Sequence, residues 1–175
     1  GYMECLSYSF IDKKSVERFS GKSTKEITLI NPISSEMTHM RQSLLPGLIK
    51  IVEKNQAKGI KSLAIFEQGY CFESNQVDDE TYQISAVLSG SKSNFNLYKE
   101  IRPFDIFDIK KDLFKLLGYL NLKVDSLKLE RDAPEFLHPK RSAKVMLGNK
   151  IIAIFGEVSP LIAKNYAIRE RINCF

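Results

Sequence analysis

The spacing of hydrophobic and polar positions changes several times along the chain, and each change predicts an element. Cys5, Leu6, Tyr8 and Phe10 form a short apolar and aromatic run that stops at Asp12-Lys13-Lys14, which predicts a strand. Residues 13–25 are polar and predict a short helix or loop built around Val16 and Phe19. Residues 27–30 predict a second short strand. Asn31-Pro32 stops it, because proline fixes its own φ and restricts the residue before it.

Leu44, Leu45, Leu48, Ile51 and Val52 recur at helical spacing and define one buried face. Ser43 is the expected N-cap, Pro46 fits the first turn, where amides need no intrahelical partner, and Gly59 supplies a left-handed stop. Residues 62–73 then alternate with a period of two. Ala64, Phe66, Tyr70 and Phe72 fall on one side, and Leu63, Ile65, Glu67, Cys71 and Glu73 on the other. A polar turn over residues 74–80 leads to an apolar run at 82–88, and the two runs predict a hairpin at the middle of a sheet.

Asp108 is the expected N-cap of a further helix carrying Leu113, Phe114, Leu116, Leu117 and Leu120. Residues 122–129 alternate again. Beyond a loop expected over residues 134–139, the runs 143–147 and 151–155 flank Gly148-Asn149, a two-residue hairpin signal. Ser159-Pro160 opens a last short helix. Strands outnumber helices and connect as hairpins, so the expected class is α+β, an antiparallel sheet flanked by helices.

With 175 residues, 43% hydrophobic and 27% charged, the chain can bury a real core as a single domain. No apolar run is long enough for a membrane span, and the start lacks a signal-peptide pattern. Both ends lie in apolar stretches, from which a piece of something longer is expected. Cys5, Cys71 and Cys174 form no metal-ligand spacing and are expected as free thiols in a reducing compartment. The net charge of +5 leans only slightly toward a polyanionic partner, since the cations are spread along the chain. Neither of the common phosphate-binding glycine loops is present. His39 is expected at the surface or an interface, and Asp78-Asp79-Glu80 in a solvated turn. The loop Phe136-Leu137-His138-Pro139-Lys140-Arg141 combines an aromatic ring with two cations, a combination that can stack on and neutralise RNA. Packing plus surface charge explains the same residues.

Three blocks, in order, give a resemblance to a known family. The first is Gly1-Tyr2-Met3-Glu4 with Ser7-Tyr8-Ser9-Phe10. The second joins Asn31-Pro32-Ile33-Ser34-Ser35-Glu36, Met40-Arg41-Gln42-Ser43-Leu44-Leu45-Pro46-Gly47-Leu48 and Phe66-Glu67-Gln68-Gly69-Tyr70-Cys71-Phe72. The third is His138-Pro139-Lys140-Arg141-Ser142-Ala143 with Gly156-Glu157-Val158-Ser159-Pro160. Together they resemble the beta subunit of bacterial-type phenylalanyl-tRNA synthetase over essentially all 175 residues.

The resemblance implies one class II aminoacyl-tRNA synthetase-like, pseudo-catalytic domain over residues 1–175, a fragment of a longer cytoplasmic subunit. In class II catalytic domains an arginine at the end of the second motif's first strand holds the ATP α-phosphate. Here Glu73 aligns with that place, and an acidic group there repels phosphate. The expected third motif, Ile154-Phe155-Gly156-Glu157-Val158-Ser159-Pro160, holds no arginine. The family thus implies no catalytic, cofactor or metal site in this stretch. It also implies an alpha subunit that activates phenylalanine with ATP and magnesium, in a heterotetramer of two alpha and two beta chains that charges tRNA(Phe). Arg41, His138, Lys140 and Arg141 are the candidate contacts to tRNA or to the partner. The alternatives are an autonomous RNA-binding module and a divergent, active class II-like ligase.

Overall fold

The computed structural model describes residues 1–20, 27–74, 76, 78–92 and 102–175. In chain order these form β1 (Met3–Glu4), β2 (Phe10–Ile11), α1 (Lys13–Ser20), β3 (His39–Met40), α2 (Leu45–Ala57), β4 (Leu63–Phe72) and β5 (Glu80–Ser89). The second half comprises α3 (Ile106–Tyr119), a 3-10 turn (Val124–Ser126), β6 (Lys128–Glu130), β7 (Leu137–Leu147), β8 (Lys150–Val158), α4 (Pro160–Asn165) and β9 (Ile172–Cys174). Seven strands make one sheet in the order β1-β4-β5-β9-β8-β7-β6, and β2 and β3 form a separate ribbon. All neighbours in the large sheet are antiparallel except β1 and β4. The expected α+β class, an antiparallel sheet flanked by helices, is the one observed.

The period-two alternation of the central strands divides the core between two faces. Val87, Ile65 and Ile172 pack with Leu48, Ile49 and Val52 of α2 and Ile162 of α4. Ala86 and Leu88, the neighbours of Val87, point the other way, toward Ile109, Leu113 and Leu117 of α3. A satellite cluster of Ile11, Val16 and Ile27 lies beneath the ribbon.

Several expected elements shift. The apolar run at 5–10 is not one strand: β1 precedes it, Leu6 and Tyr8 face solvent, and β2 begins only at Phe10. Residues 27–30 form no strand, because Thr28 makes only an isolated bridge to His39. The expected continuation of α1 to residue 25 falls outside the described residues beyond Ser20. Leu44 caps α2 without a side-chain bond, while Ser43 Oγ accepts the Leu45 N–H at 3.2 Å. Residues 122–129 divide into the 3-10 turn and the start of the edge strand β6. The loop expected at 134–139 ends early, since β7 begins at Leu137. Gly148, at φ +60°, makes the predicted β7–β8 turn. The β4–β5 hairpin lies toward one side of the sheet, and the three-residue β9 holds the centre.

Candidate functional site

Glu67 occupies an inward position of β4 with 1% of its surface exposed. A bare carboxylate there would be costly, so the fold must supply donors. Arg41 Nη1 lies 2.5 Å from Glu67 Oε1. The Ser7 N–H donates to Oε1 at 3.2 Å, and the Ser7 hydroxyl donates to Oε2 at 2.8 Å. Arg41 Nε donates to the Tyr70 carbonyl at 2.9 Å. Its main chain is tied on both sides, from Arg41 N–H to Ser9 O at 2.8 Å and from Phe72 N–H to Arg41 O at 2.9 Å. Two glycines leave the room: a Cβ on Gly69 would collide with Arg41 Nη2, and one on Gly47 with Ser7 Oγ.

This geometry corrects the expectation that Arg41 is a contact to tRNA or to a partner. The residue is only 6% exposed, and its charge is spent on Glu67. It pins the first ten residues to β4 beneath the start of α2. The buried Cys71 thiol sits beside the pair, and burial pushes it up to about 12. Burial does the same to Cys174. Both thiols are therefore held protonated and unreactive.

Glu73 is exposed immediately beyond β4, where its N–H donates to Asp79 O at 3.1 Å and its carbonyl accepts from Gln42 Nε2 at 3.4 Å. Asp78, Asp79 and Glu80 are exposed on the same hairpin. A polyphosphate brought to this strand end would meet carboxylates, while the nearby Arg41 is turned inward. The residues present do not fit ATP held in the class II manner. Among the described residues no cluster of His, Cys, Asp and Glu has the geometry to hold a metal ion.

His138, Lys140 and Arg141 lie within β7, in a bulge. Leu137 pairs with Val158 and Ser142 with Gly156, so four residues of β7 face the single residue Glu157. The Ser142 hydroxyl closes the bulge on His138 O at 2.7 Å, and the Lys140 N–H donates to His138 Nδ1 at 3.2 Å. Arg141 Nε stands 3.0 Å from the Glu157 carboxylate, an ion pair whose N–H is not aimed along the contact. Lys140 is exposed, and His138 and Arg141 are half-buried. Three strands separate β4 from β7, on the order of 19 Å at ordinary strand spacing, so Arg41 and the bulge do not form one site.

A model described as the phenylalanyl tRNA synthetase beta chain CLM domain matches residues 1–175. The chain belongs to this family. It is 40% identical over 177 residues to the phenylalanine–tRNA ligase beta subunit of Ehrlichia ruminantium (strain Gardel), covering 100% of the chain and 22% of that protein. To the phenylalanine–tRNA ligase beta subunit of Cereibacter sphaeroides it is 36% identical over 169 residues, covering 97% of the chain and 21% of the relative. The chain thus spans about a fifth of the length of these relatives. Among solved structures, the pyrrolysyl-tRNA synthetase PylSc of Desulfitobacterium hafniense superposes with a TM-score of 0.70 at 13% identity, over 99% of this chain and 58% of that one. At that identity the likeness concerns the fold, which is the class II synthetase fold.

Within this CLM domain the Asn31 to Leu48 run is an exposed turn, then β3, then the Arg41 pin and the first turns of α2. His39, expected at the surface or an interface, is 5% exposed between the Thr28 and Thr38 hydroxyls, 3.2 and 2.7 Å from its ring nitrogens, which corrects the first of those two positions. Burial, with the charge of Lys13, lowers its pKa below the ordinary histidine value. A carboxylate at an inward position of a period-two run was the one available signal for the Glu67 cluster. The spacing Asp105-x-x-Asp108 was the signal for the cap of α3. Asp105 is the N-cap, and Asp108, expected in that role, is instead the third residue of a reciprocal capping box.

Proposed function

We propose that the chain is one domain of a longer phenylalanine–tRNA ligase beta subunit and performs no adenylation itself. Its role is to pack against an alpha subunit in a heterotetramer of two alpha and two beta chains. That assembly charges tRNA(Phe) with phenylalanine in the cytoplasm, using ATP and magnesium bound by the alpha subunit. The observation that carries this reading is the acidic end of β4: Glu73 stands where the resemblance places an ATP arginine, with Asp79 and Glu80 on the same hairpin. A like charge at about 4 Å costs roughly 4 kcal/mol at an effective dielectric of about 20, which opposes triphosphate binding.

The test is phenylalanine-dependent ATP–pyrophosphate exchange. The chain alone gives no turnover, while the alpha subunit joined with the full beta subunit does. Saturable exchange by the isolated chain would establish the divergent ligase instead. The bulge at residues 138–141 favours a second, compatible role in touching tRNA, with Lys140 as its exposed cation. In the assembled enzyme, Lys140→Ala then weakens tRNA binding by about 2- to 5-fold at low salt, and the difference vanishes at high salt. Equal affinity at every salt concentration would remove the bulge from the tRNA surface.

A further inference from the structure

The chain between α4 and β9 is anchored at alternate positions. Tyr166, Ile168 and Ile172 are buried, and the residues between them are left toward solvent. Ala167, at φ +51°, turns the chain out of α4, and Arg169 and Arg171 follow it, both exposed. With Lys164 of α4, also exposed, the two arginines line a cavity of about 400 Å³ that takes in Glu157 and Val158 at the end of β8.

Among the described residues none of these three cations pairs with a carboxylate. The cavity contains two acids. Glu157 is 6% exposed and is committed to Arg141 at 3.0 Å, so only Glu170 is left to offset the three positive charges. Main-chain donors are free here as well, because no acceptor among the described residues takes the N–H of Arg169, Glu170 or Arg171. Cations gathered without counter-charges repel one another in the free protein, and a bound anion relieves that repulsion.

We infer that this cavity seats phosphate groups of an RNA backbone, with Arg169 and Arg171 as the principal contacts and Lys164 as a third charge. This rests on the reading that the chain belongs to an assembly that charges tRNA, and it extends the bulge at residues 138–141 into a longer track. Guanidinium groups suit the task, since their planar fork donates two parallel hydrogen bonds to one phosphate. The bulge is joined to the cavity through the Arg141–Glu157 pair. β7 lies two strands from β9, about 10 Å at ordinary spacing and close to the Debye length of about 8 Å at physiological salt. The exposed Lys140 and the arginine pair therefore act on the same polyanion, which a single free phosphate could not span.

Binding of tRNA(Phe) to the assembled full-length enzyme, followed over a salt series, tests this. Arg169→Gln combined with Arg171→Gln should weaken binding about 10-fold at low salt and lower the slope of log affinity against log salt by about 1.4–1.8, as two lost phosphate contacts require. Arg169→Lys with Arg171→Lys keeps both charges and should keep that slope. An unchanged slope in the glutamine variant would overturn the inference, whatever its affinity. Acetylation of the parent enzyme, read by mass spectrometry, needs no variant. Bound tRNA should slow modification of Lys164, and inorganic phosphate at equal phosphate concentration should not. Equal protection by inorganic phosphate would assign the cavity to a free anion, and no protection by tRNA would leave it outside the RNA surface; either result overturns the inference. Lys140→Ala is measured alongside. An effect of Lys140 without one of the arginine pair defeats the cavity alone, whereas RNA protection of Lys164 in an assembly that does not charge tRNA(Phe) defeats only the functional reading.

Discussion

Glu67 illustrates what one charge at an inward strand position demands. Both members of the Arg41–Glu67 pair are desolvated, so removing one partner strands the other. Arg41→Met should cost about 3–5 kcal/mol, read from urea denaturation, whereas Arg41→Met with Glu67→Leu should recover most of it. An equal loss in the double variant would mean that packing around the pair, and not its charge, holds the cluster. Gly156 is a second single-residue constraint, because an added Cβ would lie 2.8 Å from the Arg141 carbonyl and 2.5 Å from Ser142 Cβ. Gly156→Ala should therefore destabilise the domain by about 1–3 kcal/mol by forcing the bulge open.

Acid sensitivity is also set residue by residue. Burial pushes the Asp12 carboxyl up, but Lys50 and Ser15 outweigh it and hold it at about 2. Hydrogen bonds from Arg102 hold Asp108 at about 2 as well. Both values lie below the unfolded carboxylate range, so their stabilisation is complete above about pH 4 and is lost as pH falls through about 2. With half-exposed cationic partners, each contributes about 1 kcal/mol after screening. A pH series of denaturation midpoints should fall over that window, and Asp108→Asn should flatten the fall.

Among the elements, α3 depends on its first turn. The Asp105 carboxylate accepts from Phe107 and Asp108 N–H at 2.8 and 3.1 Å, and the Asp108 carboxylate accepts from Asp105 N–H at 3.1 Å in return. Asp105→Ala should cost about 1 kcal/mol in thermal denaturation. The long elements were legible in the sequence because their periodicity is strong: α2, α3, the β4–β5 hairpin and the Gly148 turn all follow from it. What escaped is what tertiary contact decides. β9 is three residues long and takes its strand conformation from β5 and β8, so no local pattern marks it. The break between Cys5 and Phe10 follows from the Ser7 tie to Glu67, 60 residues away. The candidate site was legible as residue types but not as directions. Arg41 reads as a candidate contact to tRNA or a partner until β4 presents Glu67 to it, and a four-residue bulge hides inside what reads as a loop.

For the whole molecule, the large apolar side chains left exposed include Leu6, Tyr8, Ile30 and Ile33. β9 has a consequence of another kind, in the order of events during folding. β1, β4 and β5 form one half-sheet, and β6, β7 and β8 form the other, each built largely from neighbouring hairpins. The strand that joins them comes last in this sequence. During synthesis both halves leave the ribosome before the strand that unites them, so their inner edges stay open until translation passes residue 174. Closing the sheet is a late, long-range step with a high loop-closure cost. Slow, chaperone-sensitive maturation is its expected signature.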